Sequence, residues 1–266
     1  MSILFRNLRK IFDIYTFVYN KSIRSNINPM ETTLLTNVYN DIIRFITEEE
    51  QNLFFNERDL QMHLALYLLK SSKNYDDVEV EYYVPVFNNR KDKILKEYDW
   101  NSEIRLDIIV MKNNEFLPVE IKYKTRNIQN SYGLSRFNKE IPDVDILKNQ
   151  SAQNLGCYDF WKDVRRIEVI KNEYGKSVIG GIAIFLTNDS AYWNENIKKG
   201  SAYYNFRLSA NNTDTNKKWT KNVAETVIKK YPDFTLEQAY NSEWIDKKGF
   251  KDYNDEFFRC YMVKVQ

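Results

Sequence analysis

The sequence predicts an α/β protein in which a central mixed sheet is flanked by helices. Three observations lead to this class: apolar residues at helical spacing near the start, two strand-like runs joined by a short turn at 104–124, and a continuously apolar run at 178–187. With 266 residues, 43% of them hydrophobic, the chain can bury a full core in a single domain. We expect an N-terminal helical extension over 1–48, a core over 49–190 and a C-terminal α+β elaboration over 191–266.

The composition argues against several classes of protein. His63 is the only histidine, which argues against His-based nucleases, zinc hydrolases and Ser-His-Asp hydrolases. Cys157 and Cys260 lie far apart with no Cys-x-x-Cys motif, so we expect neither a disulfide framework nor a zinc site, and a cytoplasmic location. No apolar run approaches the roughly 20 residues of a membrane span. The net charge of +2 gives no global basic field, so any nucleic-acid contact must come from a local patch.

The N-terminal part predicts helices. Residues 1–25 mix apolar and basic side chains, and we expect an amphipathic helix that packs on the domain, with a partner-binding or DNA-binding helix as the alternative. Met30 is an alternative start of the chain. Apolar residues recur at helical spacing within 31–48, which predicts a helix that faces the core. These residues are Leu34, Leu35, Val38, Ile42 and Phe45.

A second helix and a strand follow. The helix begins near Asn56, a good N-cap, and its first turn contains Glu57, which either favours the helix dipole or belongs to a functional site. Apolar and polar residues alternate over 78–84, which predicts a strand with one buried face. We interpret Glu81 on this strand as facing solvent, with a supporting role beside a carboxylate cluster as the alternative. The charged stretch 88–101 is interpreted as a surface loop, with a flap over a site as the alternative.

The stretch 104–124 predicts a β-hairpin that places two acids opposite each other. Apolar-rich runs flank the polar turn residues 112–115, so paired residue numbers sum to 227. In this register one face carries only apolar pairs, whereas the other pairs Asp107 with Glu120 and Arg105 with Lys122. A slip of one residue would mix the two sets, which favours this register. Pro118 removes one ladder donor, so a local bulge is an alternative there.

Two facing carboxylates suggest a metal site. Like charges directly opposite each other destabilise a strand pair, and a divalent cation would convert this repulsion into coordination. Lys122 lies on the same face as Glu120 because side chains alternate along a strand. The motif Asp/Glu-x-Lys alone is a weak signal in a chain with 29% charged residues. It recurs at 246–248, which we interpret as solvated surface.

At these residues the sequence resembles the PD-(D/E)XK nuclease superfamily, which has the restriction-endonuclease-like fold. The signature of that superfamily is an acidic residue on one strand followed by D/E-x-K on the next. Asp107 takes the first place and Glu120-Ile121-Lys122 the second, with Leu106 where the superfamily's proline would stand. The resemblance covers residues 50–190 in element order. It implies that Asp107 and Glu120 bind Mg²⁺ or Mn²⁺ and that Lys122 assists the attacking water.

The same resemblance implies further site residues and an activity. Glu57 would be an additional metal ligand or would organise the water, and Gln153 would lie close to the metal or to the DNA backbone. The expected activity is metal-dependent hydrolysis of a phosphodiester, with DNA as the expected substrate. Candidate nucleic-acid contacts next to the motif are Arg105, Lys124 and Arg126.

Two alternatives to this activity remain open. One is a catalytically silent nuclease-like fold that acts as a nucleic-acid-binding or assembly module. The other is a carboxylate-rich surface with no role on nucleic acid. A homodimer is a further alternative, because double-strand cutters of this fold often pair two sites.

The rest of the chain completes the predicted core and adds an aromatic elaboration. We expect a long helix over 144–171, with Gly156 as a potential break and 162–166 as an internal ion-pair set rather than a DNA-facing patch. Residues 178–187 predict a strand buried on both faces, where Gly180 and Gly181 mark a close helix approach or a bulge.

The C-terminal elaboration is rich in aromatic residues and lysine pairs. Lysine pairs recur at 198–199, 217–218, 229–230 and 247–248 among tyrosines and tryptophans. Such a mixture either covers a small aromatic core or binds nucleic acid by charge and stacking. A helix near 222–231 and a final strand over 257–265 are also predicted.

Overall fold

A six-stranded mixed sheet forms the centre of the protein, with helices on both faces. The computed structural model describes residues 33–48, 52–71, 75–84, 104–129, 135–140, 144–220, 223–250 and 253–266. The helices are α1 (Leu34–Thr47), α2 (Glu57–Ser71), α3 (Gln153–Tyr174) and α4 (Glu225–Lys230), with a 3-10 turn at Tyr204–Phe206. The strands are β1 (Asp77–Tyr83), β2 (Arg105–Lys112), β3 (Glu115–Lys124), β4 (Ile128–Gln129), β5 (Ser135–Arg136), β6 (Lys139–Glu140), β7 (Asp145–Leu147), β8 (Gly181–Thr187), β9 (Asn216–Lys217), β10 (Phe234–Thr235), β11 (Trp244–Phe250) and β12 (Tyr253–Val265).

The central sheet has the strand order β1-β2-β3-β8-β12-β11. Its neighbouring strands are antiparallel except for β3 and β8, which are parallel. Helix α3 lies between β3 and β8 in the chain, because parallel neighbours need a crossover connection. The predicted α/β class, with a central mixed sheet flanked by helices, is confirmed.

Alternating side chains of the strands divide the core into two layers. Ile184 and Leu186 of β8 pack in a cluster with apolar residues of α1 and α2, whereas Ala183 and Phe185 pack in a second cluster with α3. All seven residues of β8 are buried, so the prediction of a strand buried on both faces is confirmed. We call the side that carries α3 the α3 face.

One of the N-terminal predictions is confirmed, and the others concern residues that the structure does not describe. Helix α1 lies within the expected range 31–48, and the five apolar residues that predicted it are all buried. Residues 1–25 and Met30 lie outside the described residues, as does the alternative of a flap at 88–101. Residues Leu34–Gln266 form one compact unit, and no described helix is long and apolar enough to cross a membrane.

The helix expected over 144–171 begins nine residues later than predicted, at Gln153. Asp145–Leu147 forms β7 instead, which pairs with β4 and buries Leu147 in the core. Ala152 then adopts a left-handed backbone with φ of 70°, which separates this strand from the helix. Gly156 does not break α3. It provides room for Tyr192, because a Cβ at this position would overlap the Tyr192 hydroxyl.

The C-terminal part of the chain contributes to the central sheet as well as covering it. Strands β11 and β12 are two of its six strands, and β12 includes the predicted final strand. Most of the aromatic residues form the core that α3 covers, including Phe206 and Trp219. The interpretation of 246–248 as solvated surface is wrong for Lys247, which is 1% exposed on β11. Its Nζ lies 3.4 Å from the carbonyl of Ile46, and burial lowers its pKa to about 8.

Candidate active site

The two strands of the predicted hairpin separate at Asp107. Their ladder runs from the pair Lys112 and Glu115 to the pair Ile108 and Val119, so the predicted register is confirmed. Pro118 fits this ladder opposite Ile109 without a shift of register, so the alternative of a bulge is wrong. The ladder ends before Asp107, however, and the predicted direct pairing of Asp107 with Glu120 does not form.

Side chains fill the gap where β2 and β3 separate. The carboxylate of Asp107 accepts a hydrogen bond of 2.7 Å from the backbone N–H of Ile121. The carboxylate of Glu57 accepts one of 2.9 Å from the backbone N–H of Tyr123, and Gln61 donates to the carbonyl of Asp107. Acidic side chains thus replace ladder partners, because backbone groups buried in a protein must find partners. Gln61, one helical turn after Glu57 on α2, was missed by the sequence analysis.

The side chains of Glu120 and Lys122 point towards α3, which adds two charged partners. Lys122 Nζ lies 2.7 Å from Asp163 Oδ2, and Arg166 Nη1 lies 3.2 Å from both carboxylate oxygens of Glu120. Arg166 Nη1 also lies 3.6 Å from Asp163 Oδ1. The prediction of an internal ion-pair set over 162–166 is therefore confirmed for Asp163 and Arg166, whereas Arg165 pairs with Glu168 and Glu237. Local sequence did not reveal that the partners of Asp163 and Arg166 would be the two residues of the motif.

This cluster is mostly shielded from water. Glu120 is 1% exposed, and the side chain of Asp163 is 6% exposed. Lys122 and Arg166 keep 18% and 20% of their side chains accessible. Of these four side chains, a polar ligand would therefore meet the two cations before Glu120 and Asp163.

Burial and mutual repulsion raise the pKa of three carboxyl groups. Burial raises the pKa of Glu120 well above its usual range, and the charges of Asp107 and Asp163 add to this against the opposing effect of Arg166. Burial also raises the pKa of Asp107, although Lys122 and the hydrogen bonds from Ile121 and Glu120 oppose the change. The pKa of Glu57 rises in the same way, mainly by burial and against the charge of Lys122. Burial therefore favours the protonated forms of these carboxyl groups in the absence of a cation.

The two bases of the cluster are held in their charged forms. Burial alone would lower the pKa of Lys122, but the surrounding carboxylates raise it, with Asp163 the strongest and Glu57 next. The pKa of Arg166 is raised by Glu120 and Asp163, again against burial. Lys122 is consequently a fixed cation and cannot serve as a general base at neutral pH.

The donor chemistry of the cluster fits a hard divalent cation. Four carboxylates (Glu57, Asp107, Glu120 and Asp163) face the two cations Lys122 and Arg166, which leaves two negative charges in excess when all are ionised. Within the described ranges no group of three or more His, Cys, Asp or Glu side chains is close enough to hold a metal ion. A metal would therefore take Asp107 and Glu120, since Mg²⁺ commonly uses one or two carboxylates and completes its shell with water or phosphate oxygens.

Arg166 is the feature that opposes such a metal. Its guanidinium occupies both oxygens of Glu120, so at least one of them must be released to coordinate a cation. The basic side chain also repels a positive ion at short range.

The side chains of two predicted residues bind partners outside the cluster. Glu81 stands on β1 beside Asp107, but the strand ladder omits this pair, and its carboxylate lies 3.6 Å from Arg58 with 42% of the side chain exposed. Gln153 donates a hydrogen bond of 3.1 Å to Asp189, in the segment after β8. Neither side chain contacts the motif.

The predicted nucleic-acid contacts flank the cluster on β2 and β3. Arg105 is exposed beside Asp107, and Lys124 is half-buried two residues after Lys122. Arg126 Nε pairs with Asp189 Oδ1 at 2.9 Å, and its side chain is 52% exposed. These three cations share the edge of the sheet at which β3 ends and β2 begins.

Comparison of the chain with protein-family models, with curated proteins and with solved structures found no match. The functional hypothesis therefore depends on the chemistry of these side chains.

Proposed function

We propose that this protein is a divalent-metal-dependent phosphodiester hydrolase with a restriction-endonuclease-like core, and that its substrate is DNA. One observation carries the proposal: the carboxylates of Asp107 and Glu120 and the ammonium of Lys122 lie in one buried cluster, which has an excess of negative charge when all its groups are ionised. Burial of so many ionisable groups costs free energy, and groups with such perturbed pKa values occur most often at functional sites. A divalent cation would balance the two excess negative charges of the ionised cluster.

Each side chain has a defined task in this proposal. Asp107 and Glu120 would hold Mg²⁺ or Mn²⁺, which supplies a Lewis acid for the phosphoryl oxygen and lowers the pKa of a bound water. Lys122 would orient the attacking water and stabilise the developing negative charge. Asp163 holds the ammonium of Lys122 in place at 2.7 Å. Glu57 anchors the backbone of β3 at Tyr123 and adds negative charge beside the metal.

A second candidate function is a nuclease-like module without turnover. The specific observation in its favour is Arg166, which binds both oxygens of Glu120 and thereby neutralises one of the proposed ligands. In this alternative the ion pairs of Arg166 and Lys122 are structural, and the surface around them binds nucleic acid or a partner without metal.

The first experiment measures metal binding and cleavage in parallel. Mn²⁺ and Mg²⁺ are titrated calorimetrically into the wild type and into Asp107→Asn, and both proteins are then incubated with plasmid and with single-stranded DNA. The Asn side chain can still accept the hydrogen bond from Ile121, so the fold around it is preserved while the charge is removed. We expect metal binding and cleavage in the wild type, and loss of both in the variant.

A matched control is Asp77→Asn, because Asp77 is exposed at the start of β1 and pairs in register with Met111, at the end of β2 away from the cluster. This variant should bind metal and cleave like the wild type. Metal binding without cleavage in the wild type would favour the silent module. No metal binding with or without DNA would exclude the proposed hydrolase.

A further inference from the structure

Basic residues lie in a row across neighbouring strands of the sheet, at the strand ends next to the cluster. Lys124 at the end of β3 is the register partner of Thr187 at the end of β8, and Thr187 is the partner of Arg259 on β12. All three lie on the α3 face, because they continue the alternation of Lys122, Phe185 and Tyr261. Adjacent strands are about 4.8 Å apart, so Arg259 lies about 10 Å from Lys124 along this row.

The middle of the row is also basic at its surface. Thr187 itself is buried, and the segment that follows it contains Asp189. Arg126 pairs with Asp189 while half of its side chain stays exposed. Cations therefore recur from Lys122 through Lys124 and Arg126 to Arg259.

An aromatic surface stands at the far end of this row. We call Trp193, Phe257 and Arg259 the stacking patch. The guanidinium carbon of Arg259 lies 5.5 Å from the ring centroid of Trp193 and 5.6 Å from that of Phe257, and the two rings meet edge-on at 6.2 Å. Asp246 holds Arg259 Nε at 2.8 Å, which fixes the guanidinium beside the rings. Phe257 nevertheless keeps 45% of its surface exposed.

We propose that the stacking patch binds an unpaired base of a single-stranded nucleic acid, whose backbone follows the basic row to the carboxylate cluster. Exposed aromatic rings stack on any base, and neighbouring Lys and Arg side chains attract the phosphates. A base inside a duplex is already stacked and cannot present its face to Phe257. This inference rests on the proposed function and specifies its substrate: a single strand, or a single-stranded end, within a few nucleotides of the scissile phosphate.

The test is equilibrium binding of the full chain, in EDTA so that no cleavage occurs, to a fluorescent oligothymidylate and to a duplex of equal length. We expect Phe257→Ala to weaken binding of the single strand roughly tenfold, as loss of one base-stacking contact typically does. Duplex binding should stay unchanged. Phe257→Trp, which retains a stacking face, should restore the affinity for the single strand.

The matched control is Leu69→Ala, because Leu69 is 51% exposed near the end of α2, a helix that packs on the face of the sheet opposite α3. The affinity of this variant for the oligothymidylate should equal that of the wild type. An unchanged affinity in Phe257→Ala, an equal loss in Leu69→Ala, or no binding of the single strand by the wild type would each overturn the inference. Loss of single-strand binding in Phe257→Ala supports it even when no cleavage is found, and so the result is separate from that of the hydrolase test.

Discussion

Arg166 determines whether the carboxylate cluster can accept a cation. It is the only basic residue of the described chain seen within 3.2 Å of both oxygens of Glu120, and it reaches them from a helix 46 residues later in the sequence. A cation and this guanidinium compete for the same oxygens. In the proposed metal site, the ion pair would stabilise the metal-free protein and weaken the affinity for metal at the same time.

Replacement of Arg166 by Met should separate these two effects. Breaking a buried ion pair typically costs about 3 to 5 kcal/mol, so the metal-free variant should unfold more easily. At pH values above neutral, the affinity of the variant for Mn²⁺ should be about tenfold higher than that of the wild type. This factor corresponds to the removal of roughly 1.4 kcal/mol of competition from the guanidinium. Calorimetry and urea unfolding measure the two changes. Arg165→Met is the control, because Arg165 pairs with Glu168 and Glu237. Weaker Mn²⁺ binding in the Arg166 variant would show that the guanidinium does not compete.

Lys217 is a second residue whose charged form costs free energy in the folded protein. It is fully buried on β9, its Nζ lies 3.8 Å from the ring centroid of Trp161, and no described residue offers this Nζ a hydrogen bond. Burial lowers its pKa to about 7, with a small further decrease from Arg207 and an opposing increase from Asp214. The lysine is therefore largely neutral in the folded protein above this pH.

This shift predicts how stability depends on pH. The unfolded chain holds the lysine proton up to a pH of about 10.4, so the folded state must release it between about 7 and 10.4. The free-energy penalty that Lys217 imposes on folding is greatest below pH 7 and disappears as the pH rises past the pKa that the lysine has in the unfolded chain. We expect Lys217→Met to be more stable by on the order of 4 kcal/mol near neutral pH, with a gain that shrinks in alkaline buffer.

Urea unfolding across this pH range measures the effect of Lys217. The control is Lys218→Met, since Lys218 is the exposed neighbour of Lys217. Exposed substitutions of this kind usually change stability by no more than about 0.5 kcal/mol. A Lys217→Met protein no more stable than the wild type at any pH would mean that the lysine finds a compensating partner.

At the scale of elements, the contact between α3 and β8 brings Asp163 and Arg166 over the motif. Gly181 makes this close packing feasible, because a Cβ there would overlap Ile167 of α3 and lie 2.9 Å from the carbonyl of Pro118. Pro118 of β3 also favours this close packing, because it has no N–H on the side of the strand that faces β8. A larger residue at 181 would push α3 away from the sheet.

Gly181→Ala should therefore both destabilise the protein and disturb the cluster. Overpacking of a tight core costs about 1 to 3 kcal/mol, and the displaced helix would weaken the ion pairs of Arg166 and Lys122. Thermal unfolding measures the loss of stability. Gly200→Ala is the matched control, because nothing lies within 4 Å of a Cβ at that position. Partial recovery in the double variant with Ile167→Ala would locate the strain at this contact.

The hairpin shows which features the sequence could predict. The register of β2 and β3 was predictable because alternate residues form one wholly apolar set, and a slip would bury charges. The separation of the strands at Asp107 could not be predicted, because it depends on Glu57 and Gln61, which bind the strands from helix α2. The start of α3 was missed for a similar reason: β7 is stabilised by pairing with β4, which local periodicity does not reveal.

For the whole molecule, the cluster couples folding to the binding of protons and, in the proposed function, to that of metal. The folded protein keeps protons on Glu57, Asp107 and Glu120, whose pKa values are raised chiefly by burial, at pH values where the unfolded chain has lost them. At these three groups the folded state thus binds more protons than the unfolded state, and their contribution to stability without metal falls as the pH rises above about 4, the ordinary carboxyl range. A divalent cation would replace those protons and reverse the loss.

We therefore expect the stabilisation by Mn²⁺ to grow with pH. At a metal concentration about a hundredfold above Kd it would reach about 2.7 kcal/mol, and it should diminish in acid as protons reclaim Asp107 and Glu120. The measurement is the difference in Tm between Mn²⁺ and EDTA over a series of buffers, which cancels contributions common to both conditions, including that of Lys217. Asp107→Asn should abolish the difference at every pH, whereas a difference in the wild type that is independent of pH would place the metal away from these carboxylates.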